Sequence, residues 1–288
     1  MVHTGRSERI GKLLFYSAIL AVIALCIFPL LWQCLASFNF EDKLFRKDLH
    51  VLPDPPTLQN YKNVFLTGES NFGSTSFFRY MCNSLLISVT VTAACLFIGS
   101  LSGYALGKVH FMGKNVILGV FLIGSMFPQI AIMSPLFLFF KRIHLMNSYM
   151  SLIIPYIAFN LPLSVWVLST FYTQVPVELK DSATIDGCGE FQIYSHIMTP
   201  LVIQGFVAVG LLIIINCWNE FIFASTFILS DKLRTIPVAV ALFPGVHNTL
   251  PWGQISAASF ACTIPVILIV LFFQKKIVSG LTAGAVKG

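Results

Sequence analysis

An all-α, polytopic membrane protein with six transmembrane helices is the fold class that this sequence predicts. Of its 288 residues, 56% are hydrophobic, only 10% are charged, and six apolar stretches are long enough to cross a membrane. Soluble domains carry about 25% charged residues, so this chain has too little charge to cover a globular surface. The composition therefore argues against a soluble enzyme and against a disordered chain.

The six predicted transmembrane stretches lie between the charged and polar residues that interrupt the apolar sequence. A transmembrane helix needs about 20 mainly apolar residues. The first stretch, 13–38, is longer than the apolar region of a cleaved signal peptide and no small-residue cleavage site follows it, so it is predicted to be retained. The others are the stretches 79–108, 114–141, 147–171, 203–229 and 255–273.

The net charge of +6 indicates basic residues that flank membrane helices and face anionic lipid. Nucleic-acid binding is not predicted, because no Lys/Arg run or basic helix is present. The Lys and Arg residues divide equally between the two sides of the membrane, so the positive-inside rule leaves the orientation open. The seven cysteines form no CxxC pair and are interpreted as small buried hydrophobic residues, not as disulfides or metal ligands.

Three glycines, Gly99, Gly103 and Gly107, recur every fourth residue in the second stretch. This spacing lines one helix face with backbone and predicts close packing against another helix. A phosphate-binding loop is the alternative, since Lys108 follows Gly107. Such a loop needs two glycines five residues apart and a Ser or Thr after the Lys, whereas Val109 stands here. Helix packing is therefore the interpretation.

The polar segment between the fourth and fifth stretches predicts two short helices joined by a glycine turn. Pro176 suits the first turn of a helix, and the acids Glu178 and Asp181 lie early in it, where they complement the helix dipole. Gly187 can adopt the left-handed conformation that ends a helix. A second helix follows, limited or bent at Pro200, with an apolar face expected from Phe191, Tyr194, Ile197 and Leu201. An interfacial hairpin and a rigid acidic surface for a partner protein are the two interpretations.

This segment resembles the cytoplasmic EAA loop of the permease subunits of binding-protein-dependent ABC importers. The signature of that loop is Glu-Ala-Ala, three residues, Gly, nine residues, and then Ile-x-Leu-Pro. The matching residues here are Asp181-Ser182-Ala183, Gly187 and Ile197-Met198-Thr199-Pro200, with every spacing intact. Asp for Glu and Ser for Ala conserve charge or size, whereas Thr199 replaces an apolar Leu with a hydroxyl.

Other parts of the chain are similar to the same family and occur in the same order. They are Gly103-Tyr104-Ala105-Leu106, Asn160-Leu161-Pro162 and Trp218-Asn219-Glu220-Phe221. The tail, 280–288, is similar to the end of the maltose-permease-like, carbohydrate-uptake branch, in the subunit with the shorter external loops. The resemblance implies the transmembrane domain of an ABC type I importer, the MetI-like fold.

The resemblance also implies a non-catalytic role and a set of partners. A second homologous permease would pair with this chain, an ABC ATPase dimer would dock to it, and an extracytoplasmic solute-binding protein would deliver a sugar substrate. ATP and Mg²⁺ would be bound by the ATPase, so no cofactor is expected in this chain. Membrane lipid would surround its transmembrane helices. The implied ATPase-coupling residues are Glu178, Asp181, Ser182, Ala183, Asp186, Gly187, Ile197 and Pro200.

The resemblance supplies the orientation that the charges leave open, since the loop 173–202 would be cytoplasmic. Both termini would then lie on the cytoplasmic side of a bacterial cytoplasmic (inner) membrane. The expected organisation is a cytoplasmic N-terminus at 1–12, a first transmembrane helix at 13–38, an external loop at 39–78, a permease core of five helices at 79–277, and a cytoplasmic tail at 278–288.

Glu220 is the only acid inside the six stretches, and Asn216 and Asn219 lie beside it. A charged group within the membrane is costly and is a candidate functional residue by default. A translocation path or gate is one interpretation, and a structural group near the external interface is the other. A structural or gating role is favoured, because in the maltose-type relatives the partner permease supplies most sugar contacts.

The external loop after the fifth stretch contains His247, Asn248 and Trp252. Trp and Asn suit stacking on a sugar and hydrogen bonding to it, and in relatives this loop can enter the cleft of the binding protein. The alternative for Trp252 is an anchor at the membrane interface. Contact with the binding protein is therefore an expectation that competes with simple anchoring.

The expected solute is a sugar, and α-glucosides such as maltose or trehalose are preferred among sugars. The alternative is another small solute, such as a polyol, glycerol phosphate or an amino acid. A membrane-embedded enzyme is the third hypothesis, but the sequence contains no HExxH motif, no paired intramembrane Asp and no Ser/His dyad at helical spacing. No catalytic residue and no metal site are predicted.

Overall fold

The computed structural model describes residues 4–44, 52–66, 75–243 and 250–285, and the regular secondary structure in these ranges is helical. This confirms the predicted all-α class. In chain order the helices are α1 (Thr4–Ser37), α2 (Gln59–Phe65), α3 (Phe77–Lys108), α4 (Lys114–Ser125), α5 (Gln129–Arg142), α6 (Met150–Gln174), α7 (Val177–Ile185), α8 (Glu190–Leu201), α9 (Ile203–Trp218), α10 (Ile222–Phe227), α11 (Ile236–Ala241) and α12 (Trp252–Ala285).

Four helical segments are individually long and apolar enough to cross a membrane: Gly11–Ser37, Phe77–Lys108, Met150–Gln174 and Trp252–Gln274. Two pairs of helices, α4 with α5 and α8 with α9, pass the same test together but are sharply bent. The described part of the chain therefore contains four to six candidate spans. The predicted count of six is reached when each bent pair is counted as one span.

The third predicted stretch, 114–141, is not one continuous helix. It contains α4 and α5, which meet at 87°. Pro128 precedes α5 with an extended backbone, at φ −68° and ψ 124°. Proline has no N–H to donate and disfavours the helical conformation of the residue before it, here Phe127. The prediction of a single helix is therefore wrong, because Pro128 ends the first half.

The fifth predicted stretch, 203–229, is also not a single helix. α9 ends at Trp218 and α10 begins at Ile222. Between them Glu220 accepts the backbone N–H of Phe223 through Oε1, at 2.8 Å. In a continuous helix that N–H would bond to the carbonyl four residues earlier, so the side chain of Glu220 competes with the helix ladder. A short polar break thus replaces the predicted helix.

The chain divides into two compact units, of which the first comprises residues 1–76 and 243–264. Within it, the Asn60 amide of α2 donates to the carbonyl oxygens of Ser37, at 2.9 Å, and Asn39, at 2.8 Å. The Tyr61 hydroxyl lies 2.8 Å from the Ser37 Oγ. These bonds attach α2 to the end of α1. None of the most apolar window of α1 is buried inside the chain, as is usual for a helix that meets lipid or another subunit.

The second unit comprises residues 77–242 and 265–288, and its centre is the close pair α3 and α6. A Cβ added to Gly99 would lie 2.7 Å from the Ser164 Oγ. A Cβ on Gly103 would lie 2.9 Å from the backbone N of Ser169, and one on Gly107 would lie 2.8 Å from a Tyr172 carbon. No real side chain fits at such distances. The prediction that the glycine stripe allows close helix packing is confirmed.

The cysteines follow their prediction in part. Cys95, Cys217 and Cys262 are buried and behave as small hydrophobic residues. Cys26 and Cys82 are exposed, so the prediction of burial inside the chain is wrong for these two. Both lie on helices that are apolar enough to span a membrane, where a small apolar side chain can face outward.

Candidate functional site

The segment between α6 and α9 forms the predicted hairpin, which consists of α7, a glycine turn and α8. Pro176 precedes α7, and Glu178 lies in its first turn. Ala183 is turned toward the core and is only 5% exposed. The other residues that the EAA resemblance implies on this limb lie at the surface: Glu178, Asp181, Ser182, Asp186 and Gly187. α7 therefore docks through a small residue and presents its acids outward.

The turn of the hairpin is a Schellman motif centred on Gly187. The N–H of Cys188 donates to the carbonyl of Ala183 at 3.0 Å, and the N–H of Gly187 donates to the carbonyl of Thr184 at 3.1 Å. Gly187 has a φ of +84°, and within the described ranges no heavy atom other than those of its chain neighbours lies within 4 Å of the position of a Cβ. Glycine is thus favoured here by the backbone conformation and not by lack of space.

The second limb, α8, contains a π-helical segment at Ile193–Met198. The buried residues of this segment, Ile193 and Met198, are five positions apart, as the wider π turn dictates. The predicted apolar face is therefore wrong in part, because Phe191 and Leu201 are exposed. The prediction is based on a regular α-helical period, which the π-helical segment does not follow. Of the remaining implied coupling residues, Ile197 is half-buried against the core and Pro200 is exposed.

Both limbs of the hairpin contact Tyr104 of α3. The Tyr104 hydroxyl donates to Glu190 Oε2 at 2.8 Å, and Lys180 Nζ lies 2.7 Å from Glu190 Oε1. The hydrogen bond from Lys180, followed by that from Tyr104, holds the pKa of the Glu190 carboxyl below its ordinary value. Since Glu190 lies at the start of α8 and Lys180 lies on α7, this ion pair links the two limbs directly.

A chain of hydroxyl groups lies beneath α8. The Ser100 Oγ lies 2.8 Å from the Tyr172 hydroxyl and 2.8 Å from the Tyr194 hydroxyl. The Tyr172 hydroxyl lies 3.0 Å from the Thr199 Oγ1. Thr199 is the position at which the sequence departs from the family signature, and its hydroxyl joins this buried network. The departure is therefore accommodated by hydrogen bonds in place of the apolar contact.

Glu220 is held in place by donors on two elements. Its Oε1 and Oε2 accept the N–H groups of Phe223, at 2.8 Å, and Ala224, at 3.2 Å, at the start of α10. The Tyr156 hydroxyl of α6 donates to the same carboxylate. An acid at a helix N-terminus complements the helix dipole and satisfies free N–H groups. The structural interpretation of Glu220 accordingly has direct support from the geometry.

A cavity of about 490 Å³ opens beside Glu220, between α5, α6, α9 and α10. Its polar lining combines five side chains other than tyrosine: Gln129, Asn160, Asn216, Asn219 and Glu220. The Asn216 amide donates to the Asn160 Oδ1 at 3.3 Å. Four aromatic residues also line the cavity, together with Cys217 and Ile222: Tyr156, Phe159, Phe221 and Phe223. Among the described residues, the lining contains carboxamides, one carboxylate and aromatic faces, but no Lys, Arg or His.

Sequence reasoning brought Asn216, Asn219 and Glu220 together correctly, but it did not assign Gln129 to the cavity. Gln129 lies some ninety residues earlier and reaches the cavity because α5 begins there, after the break at Pro128. A polar residue directly after a proline inside an apolar stretch is the signal that could have found it. The sequence identifies Asn160 as part of the Asn160-Leu161-Pro162 motif, but it does not predict that Asn160 lies next to Asn216.

Of the three residues predicted to contact a binding protein, His247 and Asn248 lie outside the described residues. Trp252 is the first residue of α12, and its side chain is about half exposed. Its backbone N–H donates to Glu41 Oε1 at 2.6 Å, and the N–H of Gly253 donates to Glu41 Oε2 at 3.0 Å. Glu41 therefore caps α12 and fixes the position of Trp252.

A family model described as the binding-protein-dependent transport system inner membrane component matches residues 96–281. The match includes the whole hairpin and every residue that lines the cavity. This chain therefore belongs to the inner membrane components of binding-protein-dependent transport systems. It is a multi-pass membrane protein of the permease class, which is non-catalytic.

Curated relatives match over nearly the whole chain. The trehalose/maltose transport system permease protein MalG of Thermococcus litoralis is 38% identical, across 98% of this chain and 99% of the relative. The trehalose transport system permease protein SugB of Mycobacterium tuberculosis is 34% identical, across 93% and 94%. The sulfoquinovosyl glycerol transport system permease protein SmoH of Agrobacterium fabrum is 32% identical, across 96% and 95%. The resemblance to the carbohydrate-uptake branch is thus confirmed.

A solved structure with the same fold comes from a bacterial ABC transporter involved in the import of the acidic polysaccharide alginate. Its matching chain has a TM-score of 0.78 and 19% sequence identity, and the alignment covers 96% of this chain and 99% of that one. At this identity the similarity concerns the fold. The expected fold of an ABC importer transmembrane domain is therefore confirmed.

Proposed function

We propose that this chain is the permease subunit of an ATP-driven sugar importer and that the 176–200 hairpin couples it to the ATPase. The observation that carries the proposal is the hairpin itself. It has the EAA spacing, a small buried residue at Ala183, a turn fixed by Gly187, and exposed acids on α7. Exposed charges on a rigid short helix suit a complementary cleft in a partner.

The proposed assembly contains a second homologous permease, a dimer of ABC ATPase subunits and an extracytoplasmic solute-binding protein. ATP and Mg²⁺ are bound by the ATPase, and this chain converts closure of the ATPase into movement of its own helices. Because the hairpin meets the ATPase, the 173–202 segment and both termini lie on the cytoplasmic side. The family description supports an inner membrane location for the assembly.

The proposed substrate is a neutral sugar, with an α-glucoside such as maltose or trehalose preferred. The names of two relatives, which include trehalose and maltose, support this choice. The cavity beside Glu220 supports it chemically, because carboxamides both donate to hydroxyl groups and accept from them. In this proposal Asn216, Asn219 and Glu220 line the translocation path or its gate, with Glu220 also holding α10 in place.

An importer of another small solute is the second candidate function. A neutral polyol presents the same hydroxyl groups as a sugar and would use the same carboxamides. Glycerol phosphate fits less well, because the described cavity lining contains a carboxylate and no Lys, Arg or His to pair with a phosphate. The chemistry of the cavity therefore ranks sugar and polyol above an anionic solute.

The external residues His247, Asn248 and Trp252 are proposed to contact the solute-binding protein. Trp252 has a half-exposed ring on a backbone that Glu41 holds, so it can present an aromatic surface with little loss of conformational freedom. A Trp252→Ala variant should weaken productive engagement of the binding protein, measured as the concentration needed for half-maximal stimulation of the ATPase. An unchanged concentration would favour the role of membrane-interface anchor.

A ligand screen tests the proposed substrate most directly. The purified cognate binding protein is mixed with maltose, trehalose, a polyol and glycerol phosphate, and its thermal stabilisation is measured. The complete importer in proteoliposomes is then supplied with the best ligand and ATP. Binding and ATP-dependent uptake of an α-glucoside are expected. Uptake of glycerol phosphate in preference to sugars would overturn the assignment.

A further inference from the structure

A stripe of polar residues runs along α3 beside the glycine stripe and contacts the hairpin at three points. Ser100, Tyr104 and Lys108 each follow a packing glycine, so they share a spacing of four residues and one helix face. The Lys108 Nζ donates to the carbonyl of Val175, where the chain enters the hairpin. Ser100 contacts the hydroxyl of Tyr194 in the second limb. The face of α3 that packs closely on α6 is thus bordered by one that binds the hairpin.

The central contact is a closed triangle of Tyr104, Lys180 and Glu190. Lys180 and Glu190 form an ion pair at 2.7 Å across the two limbs. The Tyr104 hydroxyl donates to Glu190 at 2.8 Å, and the Lys180 Nζ lies 5.7 Å from the centre of the Tyr104 ring. A cation at that distance from an aromatic ring is attracted to its face. Each of the three side chains therefore contacts the other two.

The surroundings of the triangle keep it in one arrangement. Tyr104 is only 8% exposed, and its ring lies 5.5 Å from that of Tyr172 and 5.3 Å from that of Tyr194, measured between ring centres. These rings come from α6 and α8, so Tyr104 is packed between the membrane helices and the hairpin. A hydroxyl carried on a ring this closely packed has little freedom to move away from Glu190.

The connection from the hairpin to α9 has a different character. The backbone bends by 74° between α8 and α9, directly after the π-helical segment and Pro200. Sharp kinks in helices commonly occur at proline and at π-helical turns. The hairpin is thus attached to α3 by side-chain contacts and is joined to α9 by a backbone bend.

We propose that Tyr104, Lys180 and Glu190 are positioning residues that transmit movement of the hairpin to α3. The inference rests on the proposed coupling function of the hairpin. When the ATPase displaces α7, the triangle makes α8 and α3 move with it, and the bend next to Val202 absorbs the difference at α9. Loss of the triangle leaves the docking surface intact but weakens the attachment of the hairpin to α3, because only the contacts of Ser100 and Lys108 remain.

The test uses the complete importer in proteoliposomes and measures the number of ATP molecules hydrolysed for each solute molecule taken up. Tyr104→Phe keeps the ring packing and removes the hydrogen bond to Glu190. This ratio is expected to rise about fivefold, the factor that corresponds to one hydrogen bond of about 1 kcal/mol. Tyr149→Phe is the matched control, since the Tyr149 hydroxyl donates to the Asn83 Oδ1 at 2.7 Å, away from the hairpin, and it should leave the ratio unchanged.

A charge exchange separates positioning from general destabilisation. Lys180→Glu and Glu190→Lys should each raise the ratio, and the double variant, which restores an ion pair between the limbs, should return it toward the wild-type value. A purely structural role for the two residues would change thermal stability but would show no such recovery of coupling. If the importer that carries Tyr104→Phe does not assemble, Glu190→Gln replaces it as the test. This variant removes the charge of the ion pair at nearly constant side-chain shape, and it should also raise the ratio of ATP hydrolysed to solute taken up.

The outcomes distinguish this inference from the proposed function. If the wild-type assembly shows no ATP-dependent uptake, the proposed function fails first. If a Gly187→Val variant abolishes coupling while Tyr104→Phe, Glu190→Gln and the charge variants leave the ratio unchanged, the function stands and the triangle is overturned. A raised ratio in Tyr104→Phe, with an unchanged ratio in Tyr149→Phe, supports the inference.

Discussion

The first limb of the hairpin and the cavity both contain acidic residues, but they use these residues in opposite ways. On α7 and directly after it, Glu178, Asp181 and Asp186 are exposed at the surface. In the cavity, both oxygens of Glu220 accept backbone N–H groups at the start of α10, and Tyr156 donates to it as well. An exposed carboxylate remains available to a partner, whereas a carboxylate surrounded by donors is committed to the fold. The exposed acids of the first limb are therefore proposed to bind a partner, whereas Glu220 is expected to stabilise the start of α10.

The largest expected effect comes from breaking the hairpin turn. Gly187→Val should lower binding-protein-dependent uptake about tenfold or more, because a left-handed conformation costs a non-glycine residue roughly 1–2 kcal/mol and a β-branched one more. The measurement is uptake in proteoliposomes, together with the amount of ATPase that copurifies. Gly187→Asn should retain most activity, since Asn tolerates this conformation.

Gly113→Val is the matched control for the turn. Gly113 also has a positive φ, +90°, and also has open space around a Cβ, but it lies between α3 and α4. It imposes the same backbone strain outside the hairpin. If both valine variants lose uptake equally while the protein still inserts, the special role of the hairpin is contradicted.

The second prediction compares two acids directly. Glu220→Ala should lower the free energy of unfolding by about 1–3 kcal/mol, because the N–H groups of α10 lose their acceptor. Glu178→Ala, an exposed acid on α7, should change it by less than about 0.5 kcal/mol. Thermal unfolding in detergent measures both. Equal shifts would remove the distinction between the acid of the cavity and the acids of the hairpin.

The third prediction concerns Gln129, the cavity residue that the sequence did not reveal. Among the described contacts its side-chain amide forms no hydrogen bond, so Gln129→Met should leave folding intact. It should raise the apparent KM for a neutral solute about fivefold, the factor for one lost hydrogen bond. Gln204→Met on α9, which does not line the cavity, is the control. A changed ratio of ATP to solute with an unchanged KM would assign Gln129 to coupling instead.

The smallest expected effect is that of pH on the hairpin. The bonds from Lys180 and Tyr104 lower the pKa of Glu190 from its ordinary value of 4.5. A lowered folded-state pKa adds stability that is present above the unfolded pKa and is lost as the pH falls through the folded one. Coupling should therefore stay constant between about pH 5.5 and about pH 8. A Glu190-dependent decline within that range, absent from Glu190→Gln, would contradict the charged state assigned to the ion pair.

The hairpin was predictable because its determinants are local. Gly187 ends α7 through backbone rules that act over a few residues, and the EAA spacing lies within one continuous segment. The exception is the apolar face of α8. The π-helical segment places Ile193 and Met198 in the core in place of the predicted residues, and a regular α-helical period does not anticipate this.

The cavity was predictable only in part because its residues come from distant helices. Asn216, Asn219 and Glu220 are close in sequence and were grouped correctly. Gln129 and Asn160 join them only through the packing of α5 and α6. The break at Pro128 places Gln129 at the start of α5 and at the cavity. The third stretch is predicted from its apolar length alone, and this length does not indicate a break.

The sequence by itself determined the membrane character, the glycine stripe of α3, the position of the hairpin and the family. Composition, helical periodicity and backbone preferences depend on residues that are close together in the chain. The tertiary structure decided which of these features meet. It brought Gln129 beside Asn216, placed the Tyr156 hydroxyl of α6 on Glu220, and set the contact of Tyr104 with both limbs of the hairpin. These contacts join side chains that lie far apart in the chain, which no local rule relates.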